Sequence, residues 1–147
     1  MNRTLYDKDY YLWLEEISQL LQDGKWLELD IENLVDEISA MSKSQKRAVY
    51  SNLKIILLHL LKYKYQPEKR SNSWLSTIEE HRQRLQEIFE DSPSLSNYFL
   101  EIYSAGKCYH DARRLAAKET SLAMDAFPSE SPFTPEEILN PEYLPDS

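Results

Sequence analysis

Apolar residues recur at three- and four-residue steps along most of this chain, the period of helices that bury one face. From Leu5 to Gln22 the positions Tyr10, Trp13, Leu14, Ile17, Leu20 and Leu21 form one such stripe and predict a first helix with a single buried side. Asp23-Gly24 ends it, since glycine takes the left-handed cap conformation without a Cβ penalty. Asp30 is placed to cap a second helix carrying Ile31, Leu34, Val35, Ile38 and Met41, with a break or bend expected at Ser42 to Ser44. A third helix is predicted from about Ser44 to Tyr65, because Val49, Leu53, Ile56, Leu57, Leu60 and Leu61 share a face and no breaker precedes Pro67. Ile55 and Leu58 carry its apolar surface round the back, which marks it as the central helix.

A fourth helix spans roughly Ser73 to Glu90 on the stripe Trp74, Ile78, His81, Leu85 and Ile88. Ser92 as cap and Pro93 in the first turn begin a long fifth helix to about Lys118, burying Leu95, Tyr98, Phe99, Ile102, Tyr109, Ala112 and Ala116. Five of the seven prolines fall in the last 20 residues, so the tail is extended apart from a short helix that Thr134-Pro135-Glu136-Glu137 can cap. Phe127, Phe133, Ile138, Leu139, Tyr143 and Leu144 would be costly to leave in water, which lays this tail across the bundle. With no alternating β-branched run and no internal repeat, the expectation is an all-α single domain. About five main helices form a bundle over residues 1–120, and a proline-rich tail over 121–147 packs on it.

Composition narrows the function classes. At 147 residues and 41% hydrophobic the chain is long enough for a real core. Two glycines, Gly24 and Gly106, cannot build a glycine-cradled phosphate loop. The single cysteine, Cys108, permits no internal disulfide, and neither a signal-peptide pattern nor an apolar run of membrane-spanning length is present, so the expected location is the cytoplasm. Net charge is −8, yet the stretch from Lys43 to Arg70 carries eight bases against the single acid Glu68. Acidity elsewhere disfavours nucleic acid, and no membrane partner is expected.

Several residue combinations resemble the DUF29 family, found largely in cyanobacteria and other bacteria. They are Leu29-Asp30 with Asn33-Leu34 and Asp36-Glu37-Ile38, His59-Leu60-Leu61-Lys62 with Gln66-Pro67, and Ser73-Trp74 with Thr77-Ile78. Ser92-Pro93-Ser94-Leu95, Ala112-Arg113, Glu119-Thr120, Phe127-Pro128 and Pro132-Phe133 extend the likeness over about Tyr6 to Pro145. Ser42 stands where relatives often have glycine. The resemblance implies a small all-helical protein to which no activity is assigned.

Candidate chemistry is sparse. His59, His81 and His110 could converge on a metal, but His59 lies in an apolar run and His81 on an apolar stripe, where core histidines are commoner. The Glu-x-x-His and His-Glu-x-x-His patterns are absent, His110-Asp111 is a bare dipeptide, and no glycine elbow presents a serine nucleophile. No cofactor or metal is therefore expected. Arg113 shares a face with Leu95, Ile102 and Tyr109 and needs a carboxylate or anion, with Glu37 and Glu119 as partners by type. Lys62 to Arg70 with Trp74 interleaves bases and aromatics, a surface suited to a protein partner or a homodimer. The leading expectation is an interaction module using residues 62–74. The alternative is a small metal-dependent or anion-binding enzyme around His59, Glu37 and Arg113.

Overall fold

The computed structural model describes residues 2–146, with side chains from Leu5 onward. Among the described residues there are seven α-helices and no strand: α1 (Asn2–Lys8), α2 (Tyr10–Gln22), α3 (Ile31–Tyr65), α4 (Asn72–Asp91), α5 (Leu95–Ala105), α6 (Lys107–Thr120) and α7 (Pro135–Leu139). The fold is all-α, and none of these helices is long and apolar enough to cross a membrane. The chain forms two compact units, residues 1–45 and 46–147, and α3 runs through both.

Local chemistry moves three of the expected boundaries. Asp9 interrupts the first helix and caps α2, its side chain accepting from Leu12 N at 3.0 Å. Ser42 to Ser44 does not break α3, because lysine is a good helix former and serine, though weaker, neither removes a donor nor clashes, as proline would. Gly106, at φ +83, does break the long fifth helix, and divides it into α5 and α6. Ser92 terminates α4 with its N–H on Ile88 O and opens the turn into α5 through its carbonyl, not through a capping hydroxyl. Gly24, at φ +69, takes the left-handed position after α2, and Ser71 caps α4 through Trp74 N.

In the first unit, Asp30 organises the entry to α3. It accepts from Asn33 Nδ2 at 2.8 Å and from the indole of the fully buried Trp13 at 3.1 Å. The core of this unit is small: among its described apolar side chains only Trp13 and Ile17 are buried.

The second unit has a conventional core. Residues 46–65 of α3 are its centre, with Val49, Leu53, Ile56, Leu57, Leu60 and Leu61 without exposure. Ile78 and Leu85 of α4, Phe99 of α5, and Cys108, Tyr109, Ala112 and Ala116 of α6 pack round them. The tail completes it with Phe127, Phe133 and Ile138. Four bundle side chains hold the tail by its backbone. Tyr109 donates to Pro128 O at 2.7 Å, Tyr103 to Phe133 O, Arg82 to Ile138 O at 2.8 Å, and Arg113 to Phe127 O. The Thr134 capping box forms as the sequence predicts. Leu144, expected to dock, is exposed, and Pro145 is buried in its stead.

Candidate functional site

Lys62, on the last turns of α3, is where the sequence-predicted residues meet. Its ammonium lies 2.8 Å from Glu119 Oε1 on α6 and 4.8 Å from the centre of the Trp74 ring on α4. The lysine is buried and the carboxylate half-exposed. Gln66 adds a hydrogen bond to Thr120 O at 3.4 Å. His59 and His81 stand beside this group. Each ring places Nδ1 against the carbonyl four residues earlier, Ile55 O at 3.0 Å and Thr77 O at 2.9 Å. A carbonyl only accepts, so Nδ1 carries a proton in both rings. Burial penalises the charged ring and lowers the pKa of His59, and Lys62 and His81 lower it further, against the opposing pull of the Ile55 carbonyl and Glu119.

This cluster ties three helices together, with its cation already committed to a carboxylate and an aromatic face. Among the described residues no group of three or more His, Cys, Asp and Glu could hold a metal, so the three histidines do not converge as ligands. The neighbouring bases and rings also serve one another. Arg70 stacks on Tyr63 at 4.1 Å and donates to its carbonyl at 2.8 Å, and Lys64 lies over Tyr65.

Arg113 does not find the carboxylate expected of it. Its guanidinium donates to Phe127 O and to Met124 O at 2.9 Å, while Glu119 is taken by Lys62. Main-chain oxygens can satisfy a half-buried guanidinium because its edge remains in water. Glu37 is in the first unit, where the hydroxyls of Tyr6, at 2.7 Å, and Tyr10 both donate to it. Those two bonds lower the Glu37 pKa, and the same carboxylate raises the Tyr6 phenol to about 12.

The feature that the sequence did not assign is the surface of the first unit. Of fourteen exposed large hydrophobic residues among the described ones, eleven lie between Tyr10 and Met41. Tyr11, Leu14 and Leu21 are exposed on α2, Trp26 and Leu27 on the turn that follows, and Ile31, Val35, Ile38 and Met41 on α3. The last four residues follow the helical period and form one stripe. A different face of α3, about a third of a turn away, carries Asn33 and Glu37, which bond to Asp30 and to Tyr6 and Tyr10. The helix thus meets its own unit through polar groups and turns its apolar stripe to solvent. The stripe was visible as periodicity, but periodicity marks a face that wants burial and does not say what buries it.

A family model described as domain of unknown function DUF29 matches residues 5–144. No curated protein and no solved structure matches the chain.

Proposed function

The chain belongs to the DUF29 family, and on that premise we propose that it is a protein-interaction module whose docking element is the first unit. One observation carries this reading: eleven large apolar side chains are exposed along 32 residues of helix and turn, Tyr10 to Met41, while the rest of the described chain exposes three. A concentration of exposed large apolar side chains of that extent marks an interaction site, since scattered single residues are the norm elsewhere. The base-and-ring segment at 62–74 supports the second unit, with Lys62, Arg70 and Trp74 engaged inside it. The cytoplasm suits such a module: Cys108 is buried, and burial pushes its thiol up to about 12, which keeps it inert in a reducing compartment.

Val35→Lys combined with Ile38→Lys tests this. Both positions are exposed, so helicity and unfolding midpoint should be retained. The wild type should bind an apolar fluorescent dye or gain mass with concentration, and the variant should do neither. A wild type that shows neither behaviour contradicts the proposal.

A further inference from the structure

We propose that the second unit carries a docking surface of its own, a basic patch on α3 and α6 that takes a short acidic segment of another protein. All of its residues lie within 46–147, and it needs none of the apolar side chains of the first unit.

Helical spacing gathers the patch. At about 100° per residue, Lys46, Arg47, Tyr50 and Lys54 fall within about 100° of one another round α3, and Lys107, Asp111, Arg114 and Lys118 within about 60° round α6. The two rows are joined where the Tyr50 hydroxyl donates to Asp111. Lys107 lies 3.0 Å from the same carboxylate and 3.3 Å from the Tyr50 oxygen, and Arg114 reaches the second carboxylate oxygen at 3.1 Å. Lys54 stands 6.0 Å from the centre of the Tyr50 ring. Six bases thus share one acid, which a phenol and two of those bases already bond. Lys46, Arg47, Lys107, Arg114 and Lys118 are exposed, and Lys54 is half-exposed. The row on α6 is about 16 Å long and the row on α3 about 12 Å. Bases of one sign in excess over so short a span form a field that acidic side chains can neutralise.

Two observations favour an acidic protein segment over nucleic acid or a lipid surface. Tyr50, the aromatic side chain at the centre, is half-buried, with its hydroxyl bonded and the ammonium groups of Lys54 and Lys107 beside its ring, so it is no platform on which a base could stack. Outside the patch 11 bases face 24 acids. A polyanion or membrane larger than the patch meets repulsion wherever it extends beyond it, whereas a short run of Asp and Glu ends where the patch ends.

Fluorescence anisotropy of a dye-labelled peptide rich in Glu and Asp, titrated with the full chain, tests the proposal. The peptide should bind at about 50 mM salt and weaken at least about tenfold by about 300 mM. Arg47→Glu combined with Lys118→Glu reverses two exposed charges that touch neither Tyr50 nor Asp111, so the fold should stand and affinity should fall at least about tenfold. Lys25→Glu combined with Lys69→Glu makes the same change of net charge at exposed positions off the patch and should bind within about threefold of wild type. A peptide that does not bind overturns the proposal. An equal loss in the two double variants also overturns it, because net charge rather than the patch would then supply the attraction. A single-stranded oligonucleotide or an anionic phospholipid vesicle bound more tightly than the peptide overturns the acidic segment as occupant.

Discussion

Arg113 reaches Phe127 with two donors, Nε at 3.2 Å and Nη2 at 3.0 Å from the same carbonyl oxygen, and so fastens the tail to α6 at the residue that follows the short turn Met124–Ala126. Because the acceptors are main-chain oxygens, Arg113→Met leaves no orphaned carboxylate, only unpaired carbonyls at Met124 and Phe127. The expected loss is about 1–3 kcal/mol by chemical denaturation. A change under about 0.5 kcal/mol, as at an ordinary surface position, would show that the clamp contributes nothing.

Deletion of residues 127–147 should cost more. Phe127, Phe133 and Ile138 are buried in the second unit's core, and each is worth about 1.5–3 kcal/mol. The truncated chain should melt well below the full one. An unchanged melting temperature would contradict tail docking.

The Lys62–Glu119 pair should respond asymmetrically, because the lysine is buried and the glutamate is half-exposed. Glu119→Ala strands an ammonium against Trp74 and should destabilise by about 1–3 kcal/mol. Lys62→Met keeps an apolar stem of similar length and should cost less, and the double variant should recover part of the Glu119→Ala loss. Equal single losses that add in the double variant would show that the two residues do not interact.

The half-buried His59 gives a pH signature. Its folded-state pKa lies below the ordinary 6.5, so as pH falls through that value the unfolded chain takes up the proton first and stability declines. His59→Gln should flatten the change in denaturation midpoint between pH 7.5 and 5.5. Below that window Asp111 takes over. The Tyr50 hydroxyl, with help from Lys107 and Arg114, holds its carboxyl down at about 2 against an ordinary 3.8, and that contribution is lost as pH falls from about 4 toward 2. An unaltered slope in His59→Gln would contradict the first assignment.

Much of this architecture was legible in the sequence because it follows from spacing and breakers. The central position of residues 49–61, the Asp30 and Thr134 caps, Gly24 and the docking of Phe127 and Phe133 all depend on local patterns that admit one outcome. The misplaced breaks have the same local origin: Asp9 offers a capping oxygen inside an apolar period, while Ser42 to Ser44 offers nothing strong enough to stop a helix. The site was less legible. Lys62, Trp74, His59 and Glu119 were each singled out, but their mutual pairing depends on the packing of three helices. Arg113 shows the limit most clearly, since a guanidinium can be satisfied by carbonyls that carry no sequence signature. The stripe on Ile31, Val35, Ile38 and Met41 reads the same whether its cover is the chain itself or another molecule.

Hydrogen exchange followed by mass spectrometry, on the full chain, tests the central claim most directly. Among the described apolar side chains this unit buries only Trp13 and Ile17, so α2 and residues 31–45 of α3 should exchange quickly in the free chain. Residues 49–61 should be protected throughout. Protection of α2 and residues 31–45 as high as that of residues 49–61 would contradict a docking element that waits for its partner.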